Sequence, residues 1–398
     1  MKKEELLDIA RDCLLYVTDR DPLVMHRGAG MYLWDTTGKR YLDFLGGWAV
    51  NSLGHSPELI RRVLAEQAAT LVNASPSFLN EPMLRFAKLL TGMTCMDRVF
   101  FCSTGAEANE SAIKLARKYG AVSRGGAYEI ITTDHGFHGR TLATMAASGK
   151  AAWAQLFEPK VPGFIKVPFN DISAIRSALT GKTCAAMIEP TQGEGGVHPA
   201  GRNYLSDLRS LCADEGILLI LDEVQTGLGR TGTMFAYEQY DIEPDILTLG
   251  KGLGGGFPVA AMLAKERLNI FRKGEQGGTY TGQPLAMAVG EAVVSAIRDR
   301  ALADNARNMG ELILRELRTL SADFPLRDIR GRGLLLAFDL DRPVAEALRV
   351  AALARGLIIN APGPETIRLV PALIVEEAHV QEMIGLLRAA LAELYPQT

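Results

Sequence analysis

The sequence predicts an α/β protein: a large part with a mostly parallel sheet, followed by a smaller α+β part. Three observations lead there. Short apolar runs, among them residues 217–221 (ILLIL) and 246–249 (ILTL), are too short for free-standing helices and rich enough in Ile and Leu to be strands buried on both faces. Helical stretches lie between several of these runs, as in successive βαβ units. Beyond Pro284 the alternation gives way to a long helical stretch, three short apolar runs and a final amphipathic helix.

Residues 1–15 (MKKEELLDIARDCLL) read as an amphipathic helix, because Glu4, Glu5, Asp8 and Asp12 interrupt what a signal peptide would need as a continuous apolar stretch. Residues 28–44 hold two alternating runs around the turn signal at 36–38, which suggests a hairpin or meander. A loop with Trp48 and Asn51 follows at 46–55, and a helical pattern begins at Glu58. Seven strands are expected, at residues 98–102, 129–132, 163–167, 185–188, 217–221, 246–249 and 260–264, with helices at 107–119 and 202–214 among their connections. The long helical stretch runs to about Leu320, and short strands are expected at 334–338, 357–359 and 367–370. The expected division is residues 1–50 as a segment packing with the small domain, 51–284 as the large domain and 285–398 as the small one.

A formal charge of -3 from nearly balanced acids and bases leaves no polybasic footprint for nucleic acid and points to small-molecule partners. Five scattered cysteines without metal or disulfide spacing read as reduced thiols. No run reaches the roughly 20 apolar residues of a membrane span, so the expected compartment is the cytoplasm. No set of metal ligands is expected.

The chemistry gathers around residues 217–258. Asp222 and Glu223 end one apolar run, and Lys251 follows the next in a glycine-rich loop. Ligands of open α/β sheets gather outside the carboxyl ends of strands, so both runs would feed one crevice. A lysine amine forms a Schiff base with an aldehyde, and pyridoxal phosphate is anchored in this way, with an acid paired to its pyridine nitrogen. A surface lysine and an ordinary strand end fit those two residues as well. GLGRTG at 227–232 matches the dinucleotide fingerprint, but two acids separate it from the strand and no long helix follows.

Other pieces are ambiguous singly. STGAEANE (103–110) opens a helix after a strand: Gly105 permits a close turn, the free N–H groups suit a phosphate and Thr104 adds a hydroxyl, although a plain capped helix reads the same. In HGFHGRT (135–141), Phe137 or His138 could lie against a flat cofactor and Arg140 could take a carboxylate, or the histidines could belong to the core. EPTQGEGG (189–196) brings two carboxylates. Arg368 stands alone in an apolar run, which is costly unless it meets an anion or a structural carboxylate.

In order and spacing, LDFLGGWAVNSLGH, STGAEANE, FHGRT, EPTQGEGG, DEVQTGLGRTG, TLGKGLGGGFP, TYTGQP and IRLVP resemble the class III pyridoxal phosphate aminotransferases of fold type I, over essentially the whole chain. Within them the chain is similar to the acetylornithine and ornithine aminotransferases. The resemblance implies a homodimer with active sites at the subunit interface, and amino acids and 2-oxo acids as substrates. It makes Lys251 the Schiff-base lysine and proton carrier and Asp222 the partner of the pyridine nitrogen. Val224 and Gln225 match residues behind the ring and at its phenolic oxygen, with Glu223 in the same turn. Thr104, Gly105 and Ala106 match the phosphate loop, Phe137 the stacking ring, and Thr279, beside Gly278, a phosphate ligand for the neighbouring subunit. Arg140 matches an α-carboxylate binder, and Arg368 with Glu194 a pair that opens for glutamate and closes for the other amino donor.

The sequence departs from the family at three places. Ala106 replaces a hydroxyl residue, TYTGQP replaces TYGGNP, and Trp48 stands where these enzymes carry an aliphatic residue or tyrosine and amine-pyruvate transaminases a tryptophan. The expected activity is transfer of the terminal amine of N-acetylornithine or an ornithine-like ω-amino acid to 2-oxoglutarate. Alternatives are a 4-aminobutyrate or broad ω-amine transaminase and, on the same scaffold, a mutase or decarboxylase. A non-enzymatic binding module would have no use for the lysine, the acid and the anion loop together.

Overall fold

A computed structural model describes residues 1–396. Its seven-stranded sheet runs in the order Arg98–Cys102, Ala260–Ala264, Ile246–Leu249, Leu218–Asp222, Thr183–Ile188, Glu129–Thr133, Phe164–Val167. Ala260–Ala264 is antiparallel to both its neighbours, and the other six strands run one way. The exception follows from chain length: residues 250–259 are too few for the crossover of a dozen or more residues that a parallel return needs. Every residue of Thr183–Ile188, Leu218–Asp222, Ile246–Leu249 and Ala260–Ala264 is buried, which accounts for their unbroken apolar runs.

The N- and C-terminal parts of the chain meet in a second sheet. Met25–Ala29, Tyr32–Asp35 and Arg40–Asp43 form an antiparallel meander, and Leu357–Ile358 pairs parallel with Arg40–Asp43. A third, antiparallel sheet joins Leu326–Arg332, Leu335–Leu340 and Thr366–Leu369. Its edge strand Leu326–Arg332 escapes the sequence reading because it buries only Leu326 and bulges between Arg327 and Arg330, which breaks the alternation. The long helical stretch is in fact two helices, Pro284–Asp299 and Leu302–Leu320, separated at Ala301 in the left-handed region (φ 50°). The first helix, Lys3–Cys13, buries none of its residues. No helix among the described residues is long and apolar enough to cross a membrane.

Candidate active site

Five strands deliver loops to one end of the main sheet. Arg98–Cys102 leads to the helix Gly105–Ser123, Glu129–Thr133 to residues 134–141, Thr183–Ile188 to Glu189 and residues 190–196, Leu218–Asp222 ends in Asp222 itself, and Ile246–Leu249 leads to Lys251. These are carboxyl ends of parallel strands, where an open α/β sheet places its ligands.

Asp222 is buried in a closed polar network. One of its oxygens accepts from Asn109 Nδ2 and His138 Nδ1, both at 2.8 Å. The other accepts from the Val224 N–H at 3.0 Å, with Thr248 Oγ1 at 3.4 Å. The single Thr248 hydroxyl proton goes to the nearer acceptor, Asn109 Oδ1 at 2.7 Å, so Thr248 orients Asn109 and Asn109 orients Asp222. Burial opposes a charged His138, but its bond to Asp222 and the Asp222 charge outweigh that and raise its pKa above the ordinary imidazole value.

Lys251 follows the extended Gly250 and itself adopts φ 45°, a left-handed conformation rare for a lysine. Burial lowers its pKa, and Arg368 adds to this, while Glu194, Glu189 and Asp222 partly offset it. A lowered pKa enlarges the neutral, nucleophilic fraction of the amine.

The loop expected to hold a phosphate opens the helix Gly105–Ser123. Thr104 Oγ1 accepts from the Glu107 N–H at 3.2 Å, and the Glu107 carboxylate folds back onto the N–H groups of Ser103 (2.8 Å) and Thr104 (2.9 Å). The Thr104 hydroxyl is thus engaged in capping the helix, and the backbone N–H groups of Gly105 and Ala106 are the donors left for a phosphate. A Cβ on Gly105 would lie 2.6 Å from Val224 Cγ1, and one on Gly250 would lie 3.2 Å from the same atom. A Cβ on Gly193 would lie still closer to Gln225 Oε1, an atom buried without a partner, as is Nε2 of His138. Open helix-terminal donors, a lysine, a fixed carboxylate and unpartnered buried polar atoms fit pyridoxal phosphate, a planar aldehyde with a ring hydroxyl and a phosphate.

Arg368 is 1% exposed, yet its guanidinium has three contacts: Glu194 Oε1 at 2.7 Å, the Gly193 carbonyl at 2.9 Å and Asn360 Oδ1 at 3.0 Å. Burial pushes the Glu194 carboxyl up, but Arg368 and Lys251 pull harder and hold it at about 2. Beside Glu194 a cavity of about 240 Å³ is lined by His135, Phe137, Lys150, Pro362 and Thr366 among others. Phe137 meets Trp153 with ring centroids 5.6 Å apart, and its N–H donates to Glu189 Oε1 at 2.8 Å. Arg140 is exposed, with its guanidinium carbon 6.0 Å from the Trp153 ring centre.

Not every expected residue joins this group. Glu223 turns away: its carboxylate accepts from the N–H groups of Ala236 at 2.6 Å and Tyr237 at 2.8 Å, and burial pushes its pKa up to about 8. Both its oxygens hold the following loop. Gly278 and Thr279 are exposed, and Trp48 is 50% exposed at φ 62°. GLGRTG serves as a strut: the buried Arg230 donates to the carbonyls of Leu334 and Pro371.

Sequence reasoning missed Asn109 and Thr248, gave Glu189 no role beyond being a carboxylate of its motif, and left His138 between the cofactor face and the core, whereas it lies on Asp222. Thr248, the polar residue of ILTL, and Asn109, on the buried face of its helix, both carried a readable signal: a buried polar side chain needs a partner. Glu189, whose pKa burial raises to about 7, carried no signal beyond its motif.

The model of the family "Aminotransferase class-III" matches residues 16–391. An acetylornithine aminotransferase 2 of Bordetella pertussis is 51% identical over 385 residues, 96% of this chain and 97% of that one. An acetylornithine aminotransferase of Ralstonia nicotianae is 48% identical over 385 residues, 95% and 96% of the two chains. Among solved structures, the ornithine aminotransferase of Toxoplasma gondii, with pyridoxal phosphate at partial occupancy in its active site, superposes with a TM-score of 0.95 at 30% identity, over 99% of this chain and 95% of that one. The N-acetylornithine aminotransferase of Stenotrophomonas maltophilia superposes with a TM-score of 0.85 at 35% identity, over 98% and 99%. The likeness extends over nearly the whole chain and includes the crevice just described, so the protein belongs to the class III aminotransferases, transaminases of fold type I that depend on pyridoxal phosphate.

Proposed function

We propose that this aminotransferase moves the terminal amine of N-acetylornithine, or of a closely similar ω-amino acid, to 2-oxoglutarate in two half-reactions. The observation that carries the reading is the ion pair of the buried Arg368 with the partly exposed Glu194, 2.7 Å apart. One site must accept a carbon with a non-acidic neighbour in the first half-reaction and glutamate, with its α-carboxylate, in the second. Glu194 neutralises Arg368 for the first and releases it for the second. The names of the relatives, acetylornithine aminotransferases at 51% and 48% identity, support the donor.

When bound, pyridoxal phosphate supplies the aldehyde that takes the amine and the ring that accepts electrons from the substrate carbon. The chain supplies the rest. Lys251 Nζ holds the cofactor between turnovers and then carries the proton from the substrate carbon. Asp222, fixed by Asn109 and His138, keeps a proton on the pyridine nitrogen. The N–H groups of Gly105 and Ala106 would bind the phosphate, with Val224, Gln225 and Phe137 as the residues that would hold the ring. Arg140, which has no ion-pair partner among the described residues, takes the donor's α-carboxylate. Exposed Thr279 serves the neighbouring subunit's phosphate and Gly278 beside it the substrate, which makes the working unit a homodimer. The pairing of Leu357–Ile358 with Arg40–Asp43 supports a division near residues 50 and 284, with the first segment packing on the C-terminal domain. The compartment in this reading is the cytoplasm.

Trp48 favours a second reading, a broader ω-amine transaminase, because this half-exposed ring stands at the sequence position where amine-pyruvate transaminases carry a tryptophan. Initial rates for N-acetylornithine, ornithine, 4-aminobutyrate and simple amines, each with 2-oxoglutarate and with pyruvate, separate the two. Preference for N-acetylornithine with 2-oxoglutarate supports the first; similar rates for simple amines with pyruvate would replace it.

A further inference from the structure

Two guanidinium groups from one sheet grip the loop that carries Glu194. Arg368 donates to the Gly193 carbonyl at 2.9 Å, on one side of Glu194. Arg330 donates to the Gly196 carbonyl on the other side, from Nε at 3.0 Å and from Nη2 at 2.7 Å. Strand register explains the joint grip. Arg330 pairs with Ala337, and Ala337 pairs with Arg368. Directly paired residues of antiparallel strands project from the same face, so both arginines leave the sheet towards the loop.

Arg330 is itself held firmly. Asp339 accepts from its Nη1 at 2.9 Å and its Nη2 at 3.1 Å, the Asp328 carboxylate accepts from Nη1 at 2.9 Å, and Thr366 Oγ1 ties Asp339 to the strand of Arg368 at 2.7 Å. The carbonyl it holds belongs to the peptide joining Gly196 (φ 110°) to Val197. Val197 is fully buried at φ 61°, a conformation that a β-branched side chain keeps only when its surroundings impose it.

We propose that Arg330 is a positioning residue for Glu194: by pinning the strained Gly196–Val197 peptide it keeps the Glu194 carboxylate within reach of Arg368. This inference rests on the reading that Glu194 and a substrate carboxylate compete for Arg368. Without Arg330 the strained peptide relaxes, Glu194 leaves Arg368 more of the time, and Arg368 becomes more available to a dicarboxylate. Loss of a nearby cation alone would have the opposite sign, weakening an anion.

Glutarate binding by titration calorimetry, on wild type, Glu194→Gln, Arg330→Gln and the double variant, reads this without turnover. Glu194→Gln is expected to tighten glutarate about tenfold and Arg330→Gln about fivefold, with the double variant no tighter than Glu194→Gln alone. Arg330→Lys, which retains the charge and a single donor group, is expected to fall between wild type and Arg330→Gln, and it serves as the test should Arg330→Gln not fold. Weaker or unchanged glutarate binding in the Arg330 variants, or additive effects in the double variant, overturns the positioning role. If Glu194→Gln itself does not tighten glutarate, the competition reading falls and this inference falls with it.

Discussion

Arg368 and Glu194 lie 174 residues apart in sequence and 2.7 Å apart in space, one on a strand of the third sheet and the other in a loop leaving the main sheet. Arg368→Ala should slow the 2-oxoglutarate and glutamate half-reaction by about two orders of magnitude and the donor half-reaction much less, because a buried bidentate partner for a carboxylate is lost. Glu194→Ala should favour acidic substrates and impair the donor, because it leaves a buried cation unpaired. Stopped-flow traces of each half-reaction decide the matter. Parallel losses in both half-reactions for both variants, with a large drop in stability, would mark a purely structural ion pair.

Lys251→Ala should lower turnover by about 10⁴-fold or more and leave the fold intact, because it removes the nucleophile and proton carrier but little core. Borohydride reduction of the wild-type holoenzyme should label the peptide containing Lys251. A label on any other peptide would remove Lys251 from the mechanism.

Gly105→Ala tests the anion cradle. A new Cβ 2.6 Å from Val224 Cγ1 must push the helix start or Val224 aside, an overpacking cost of about 1–3 kcal/mol. Cofactor affinity should fall by roughly tenfold to a hundredfold, and adding Val224→Ala should recover most of it if the clash is the cause. Fluorescence titration with pyridoxal phosphate measures both, and unchanged affinity in Gly105→Ala would move the phosphate elsewhere.

The His138–Asp222 bond should show in the pH dependence of stability. The folded imidazole binds its proton more tightly than the unfolded one, whose value is 6.5. Its contribution is therefore fully present below that value and is lost as pH rises through the higher folded value. Urea midpoints of the cofactor-free wild type and His138→Asn should differ most at about pH 6 and less at about pH 9. An unchanged or growing difference at the alkaline end would show that His138 is neutral in the fold.

Much of this protein was legible in one dimension. Central strands such as Thr183–Ile188 and Leu218–Asp222 are buried on both faces, so their apolar runs announce themselves without any partner. Motifs that bend the backbone around a ligand were equally plain, because STGAEANE and the glycine loop after Lys251 need small residues at set places. Leu326–Arg332 was invisible, since an edge strand with a bulge and charged side chains has no apolar period to read.

By itself the sequence determined the α/β architecture and the two strand ends bearing Asp222 and Lys251, because each depends on a local pattern of burial or backbone geometry, and the resemblance of its ordered motifs gave the aminotransferase family. Only the tertiary structure decided what the remaining polar groups do. It placed Glu223 on the loop at Ala236 and Tyr237, set His138, Asn109 and Thr248 around Asp222, and made Arg230 a strut. It also brought Arg330 and Arg368 to opposite ends of one strained loop. The physical reason is that a buried polar side chain must find a partner, and which one it finds depends on chain segments far away in sequence that only strand register and packing bring near.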